Sequence, residues 1–91
     1  MEFIGKIIHI GPTEQFLTKD GRSMYSRDIV LQTDEQYPKT ACFTLRNDLA
    51  QDFNHNINET IHLRFDISAK TNKEGTRWFN QLIAWRVSKL Q

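Results

Sequence analysis

A lone cysteine, Cys42, leaves no partner for a disulfide within the chain and too few thiolates for a cysteine-built zinc site. The three histidines, His9, His55 and His62, fall on different segments without metal-ligand spacing. No metal and no cofactor is therefore expected. Four glycines stand singly, which excludes a glycine-rich phosphate loop. Asp48 and Asp52 share a helical spacing of four, but no nucleophile, base and orienting group converge on them, so an enzyme is not expected. No apolar run reaches the roughly 20 residues that span a bilayer. The segment Met1–Lys6 lacks the basic region and apolar core of a signal peptide. The expected address is the cytoplasm, with no membrane partner. The net charge is only +1, too little for a protein that grips phosphates over its whole surface.

What is present is a sharp internal asymmetry. Residues 1–60 carry six Lys/Arg against nine Asp/Glu, a net −3, while residues 61–91 carry six against two, a net +4. The positive potential belongs to the last third. There, Ile61, Leu63, Phe65, Ile67 and Ala69 alternate with His62, Arg64, Asp66, Ser68 and Lys70, the pattern of a half-buried strand. A polar connector with Gly75 follows, then Arg77–Val87, rich in aromatic and β-branched residues. The pair reads as a long basic and aromatic hairpin.

At 91 residues, 38% hydrophobic and 25% charged, the chain is expected to form one globular domain over residues 1–91. Phe3–Ile10 reads as a strand with Gly5 inside it, ended or bent by Gly11-Pro12. Gln15–Thr18 continues the sheet to the Asp20-Gly21 turn, and Met24–Thr33 forms the next strand. Asp34–Pro38 is a connector before a strand from Lys39 to Leu45. A helix of about two turns at most follows, with Asn47 or Asp48 as its cap, Leu49, Ala50 and Phe53 on one face, and Asn54-His55-Asn56 as a left-handed exit. The order of three strands, a short helix and two strands predicts an all-β fold with one short helix, a five-stranded Greek-key barrel.

Ile4-Gly5-Lys6-Ile7-Ile8, Thr33–Lys39, Cys42-Phe43-Thr44-Leu45, Phe65-Asp66-Ile67, Arg77-Trp78-Phe79-Asn80 and Ala84-Trp85-Arg86-Val87 resemble, in order, a family of small Bacteroidetes proteins, DUF3127. The resemblance implies an OB-fold related in shape to bacterial single-stranded-DNA-binding proteins, and brings no activity of its own. Those proteins usually stack bases on their second and third strands. Here only Tyr25, Tyr37 and Phe43 are available there, and the alternation Ala41, Phe43, Leu45 assigns Phe43 to the core.

The candidate nucleic-acid contacts are therefore weighted to the hairpin. Trp78, Phe79 and Trp85 offer stacking faces, and both faces of the last strand carry rings, so at least one is expected to be exposed. Strict alternation puts Trp78 on a face with Arg86, and Trp85 on a face with Phe79 and Val87. Arg64, Lys70, Lys73, Arg77 and Arg86 form a candidate phosphate-tracking groove, or simply the solvated face of the strands. Arg27 and Lys39 lie on strands where OB-folds bind ligands. Tyr37 sits beside Asp34 and Glu35, which repel phosphate, and is equally suited to capping the barrel or meeting a protein. Two partners fit: single-stranded nucleic acid, DNA before RNA, or a second protein, including a homodimer formed through the same hairpin.

Overall fold

The computed structural model describes residues 1–90. Six strands and one helical turn follow the chain: β1 (Glu2–Ile10), β2 (Glu14–Leu17), β3 (Ser23–Gln32), β4 (Thr40–Arg46), α1 (Asp48–Gln51), β5 (Thr60–Thr71) and β6 (Trp78–Lys89). β1 pairs antiparallel with β5 through Glu2–Lys6 and with β3 through Lys6–Ile10. β5 pairs with β6, and β3 with β4. A short parallel seam, Phe43 beside Leu82 and Thr44 beside Ile83, joins β4 to β6 and closes a ring of five strands. Closure removes the free edges that an open sheet of this size would expose. β2 stays outside the ring as a flap on β3.

The expected five-stranded Greek-key ring with one helix is what the chain forms. Alternation fills the ring: Ile7, Ile29, Leu31, Phe43, Leu45, Ile61 and Leu63 are fully buried, with Phe65 and Ala84 nearly so. Phe43 meets Phe3 and Phe65 edge-on, with centroids 5.2 and 5.0 Å apart, the favourable geometry for rings whose edges are positive and faces negative. Ala50 of α1 is buried, and Leu49 and Phe53 pack beside it, so the helix plugs one end of the ring.

The helix, expected at two turns at most, is a single turn. Two local readings need correction, the first being that neither Asn47 nor Asp48 caps it through a side chain. Asn47 instead adopts φ 52°, donates its N–H to Tyr25 O at 2.9 Å and accepts the Tyr25 N–H on Oδ1 at 3.3 Å. The turn is held by attachment to β3, so length and capping propensity matter little. The left-handed residue beyond it is Asn58, not one of residues 54–56. Asn58 donates its N–H to Ile7 O at 2.8 Å, and His55 bonds Glu59, holding that carboxyl below its usual range.

The irregularity in β1 falls at Ile8, where the pairing with β3 steps from Ile7 to His9. Gly5 has another task. It lies where β1 passes from β5 to β3, and an added Cβ would sit 2.9 Å from the Gln32 carbonyl oxygen and 2.9 Å from Phe3 Cε1. Gly5→Ala is expected to lower the unfolding free energy by about 1–3 kcal/mol, because backbone must shift to admit the methyl. Urea denaturation measures it, and an unchanged midpoint contradicts the close approach.

Candidate nucleic-acid interface

β5 and β6 are twelve residues each, but their neighbours support only part of that length. β1 pairs with β5 only from Thr60 to Arg64, and β4 meets β6 only at Leu82 and Ile83. Residues 66–71 therefore pair only with β6, and residues 78–80 only with β5, and all of them are exposed. The apolar alternation Ile61, Leu63, Phe65, Ile67, Ala69 runs on past the end of the core. Ile67 is 51% exposed and Ala69 is exposed too. The tip is closed by Asn72, whose Oδ1 accepts the N–H groups of Thr76 at 3.0 Å and Arg77 at 3.3 Å, with Gly75 at φ 71°.

The strand register separates the two faces of this overhang. Directly opposed residues share a face. Ile67 with Leu82, Ala69 with Asn80, and Thr71 with Trp78 continue the side that holds Phe65 and Ala84 in the core. Asp66 with Ile83, Ser68 with Gln81, and Lys70 with Phe79 form the outer side. Arg64 pairs with Arg86 but Phe65 pairs with Ala84, so Trp85 is an extra, unpaired residue. This bulge overturns the strict alternation: Arg86 joins Arg64 on the outer side, and Val87 returns to the core side opposite Leu63. Trp85 faces outward with Arg64, whose guanidinium carbon lies 5.9 Å from its ring centroid.

All three rings proposed from sequence are exposed: Trp78 at 67%, Phe79 and Trp85 at 51% each. The outer side carries Phe79 and Trp85, about 20 Å apart along the strand at the usual rise per residue. Phe79 has Lys70 directly opposite and the Arg77 guanidinium 5.6 Å from its centroid. A guanidinium over each ring helps to hold it in place, and each ring stays half exposed. Among the described residues, Lys70, Lys73, Arg77 and Arg86 make no ion pair, while Arg64 shares Glu2 with His62 at 3.5 and 3.2 Å. Lys73 is exposed in the tip turn.

Arg27, Tyr37 and Lys39 lie elsewhere. Arg27 donates its Nε–H to Gly11 O at 2.7 Å and stands over Phe53 at 5.6 Å, tying the end of β1 to β3 and the loop after α1. Tyr37, 79% exposed, and Lys39 belong to the β3–β4 connector. That connector borders an open cleft of about 610 Å³ that reaches the hairpin at its root, Thr60 and Leu90, rather than its tip.

The outer face of β3 and β4, where this type of ring commonly takes oligonucleotides, carries no ring here: its paired residues include Asp28 with Thr44 and Val30 with Cys42. Thr44 Oγ1 donates to Asp28 Oδ1 at 3.1 Å and accepts from Gln81 Nε2 at 3.4 Å, which ties three strands together. Partial burial, with Asp28 nearby, pushes the Cys42 thiol up, away from its reactive thiolate.

Residues 2–88 match the family described as DUF3127, a domain of unknown function. The chain belongs to that family. A comparison with curated proteins finds no match. Among solved structures, this DUF3127 chain is similar to the second OB-fold domain of replication protein A from Methanococcus maripaludis, at 18% identity and a TM-score of 0.73, covering 99% of this chain and 82% of that one. The likeness shows that the DUF3127 chain has an OB-fold. Six strands here include the five of the barrel, with β2 as the addition.

Because both tryptophans are exposed, Trp78 on the overhang and Trp85 at the bulge nearer the root, iodide is expected to quench the fluorescence of the folded protein almost as strongly as that of the urea-unfolded chain. Strong protection in the folded state contradicts the exposed hairpin.

Proposed function

We propose that the chain is a non-catalytic OB-fold module that binds single-stranded nucleic acid along the outer side of its C-terminal hairpin. The observation that carries this reading is the interleaving on one strand face: Phe79 beside Lys70 and Arg77, then Trp85 beside Arg64 and Arg86. Unstacked bases gain about 1–3 kcal/mol each on an aromatic face, and every base has such a face, so binding of this kind tolerates sequence. Phosphates of the strand pair with the cations between the rings. The likeness to a domain of a replication protein favours DNA over RNA. Trp78 lies outside this stripe, and the acidic connector around Tyr37 contributes little, since Asp34 and Glu35 oppose phosphate.

A second reading has its own observation. The inner side of the overhang carries Ile67 and Trp78, both exposed, with Leu82 opposite Ile67 and the Ala69–Asn80 pair between the two, a largely apolar strip suited to a protein partner or a second copy.

Titration of the tryptophan fluorescence with oligothymidine at low and high salt tests the first reading. Saturable quenching is expected, with log K falling by about 0.7 per decade of salt for each phosphate held. Trp85→Ala or Lys70→Ala/Arg77→Ala is expected to weaken binding roughly tenfold or more. Absence of quenching by DNA and RNA, in a protein that light scattering shows to be a dimer broken by Ile67→Lys, supports assembly instead.

A further inference from the structure

At the foot of the outer side, four side chains that the strand order brings into a square line a recess of about 100 Å³: His62 and Arg64 on β5, Ser88 and Arg86 opposite them on β6. All four carry hydrogen-bond donors when His62 is protonated or presents Nε2–H. The register extends this row to β1, where Glu2 pairs with Arg64. Glu2, Arg64 and Arg86 thus stand side by side on adjacent strands, two guanidinium groups directly opposed with one carboxylate beside them. Like charges in that position destabilise a sheet, and Arg86 has no ion-pair partner among the described residues. Glu2 is a poor substitute for one. Its side chain is 57% exposed and its carboxylate reaches only Arg64 Nε at 3.5 Å and His62 Nε2 at 3.2 Å, and His62 Nε2 remains buried without hydrogen-bond geometry to any partner. The recess has room for about three waters by their share of liquid volume, of the order that a tetrahedral anion needs. Arginine pairs with phosphate through two parallel N–H bonds, which a lone, exposed carboxylate at one corner does not replace.

Resting on the nucleic-acid reading and deepening it, we propose that the recess between His62, Arg64, Arg86 and Ser88 is a phosphate subsite, in which a phosphate of the bound strand displaces the Glu2 carboxylate. Trp85 rises beside it with Arg64 against its ring, so the base attached to that phosphate has a stacking face within reach. Glu2 then acts as a competitor, holding Arg64 while the site is empty and lowering affinity by occupying the same charge.

The test uses fluorescence titration of the full chain with oligothymidine bearing either a 5′-hydroxyl or a 5′-phosphate. Arg86→Gln is expected to weaken binding roughly tenfold, the scale of one lost charge-assisted contact, and to make the salt dependence shallower by about 0.7 in slope. Glu2→Gln is expected to act in the opposite direction, tightening binding a few-fold, an outcome that misfolding cannot mimic. Equal effects on the two oligonucleotides identify a backbone phosphodiester as the occupant; an effect confined to the 5′-phosphorylated strand identifies the chain end. If Arg86→Gln and Glu2→Gln both bind like the wild type while Lys70→Ala/Arg77→Ala does not, the subsite is overturned and the hairpin reading stands. If the wild type binds no oligonucleotide, the hairpin reading fails and inorganic phosphate decides the subsite. His62 ring resonances that shift saturably with phosphate, not with chloride at equal ionic strength, and no longer do so in Arg86→Gln, support it. Unmoved resonances overturn it.

Discussion

The antiparallel ladder between β5 and β6 outruns every other pairing in the molecule, and the character of the surface follows from that mismatch. At its root the hairpin is part of the barrel, with Ile61, Leu63, Phe65 and Ala84 in the core. Beyond Phe65 no strand outside the hairpin pairs with β5, and on the tip side of Leu82 none pairs with β6. An isolated two-stranded hairpin is marginal in water, so the tip depends on the anchored root, on cross-strand pairs such as Lys70 with Phe79, and on the turn ordered by Asn72. Phe79 and Trp78 have no core to enter. Their exposure follows from strand length.

The bulge at Trp85 matters as much as the length. Without it, Arg86 would lie on the core side, Val87 would face water, and Arg64 would have no guanidinium opposite. One inserted residue keeps Val87 in the core and gathers Arg64, Arg86 and Trp85 on the outer side. It also helps a chain of net charge +1 to present a basic surface: Arg64, Lys70, Arg77 and Arg86 share the outer side of one hairpin, with Asp66 as the one acid on those strands. An OB-fold by itself says little about what is bound. Here the β3–β4 face is polar and ringless, so the rings and free cations of the hairpin, more than the fold, point to a ligand.

Much of this was legible in the sequence. The Asp20-Gly21 and Gly75 turns, the burial of Phe43 and the strand order all follow from local rules, because turn chemistry and period-two alternation act over a few residues. Other features depend on distant neighbours. Ile67 and Ala69 obey the same alternation as Leu63, and only the absence of a strand beside them leaves them in water. The bulge at Trp85 is set by pairing with β5, which a period of two on β6 alone cannot register. Arg27 reads as a free cation until its bond to Gly11 and its place over Phe53 are seen. His62 and Ser88 carry no local signal of their shared recess, since 26 positions in the chain separate two side chains that the register sets face to face.

The central claim is that the outer side of the β5–β6 hairpin, and not the β3–β4 face, is where the chain meets single-stranded nucleic acid. The most direct measurement is residue-resolved NMR of the isotopically labelled protein during titration with oligothymidine. The amides of Arg64, Lys70, Arg77, Phe79, Trp85 and Arg86 and the Trp85 indole N–H are expected to shift together, while Asp28, Val30, Cys42 and Thr44 stay still. Shifts centred on β3 and β4, or none at a saturating concentration, contradict the account.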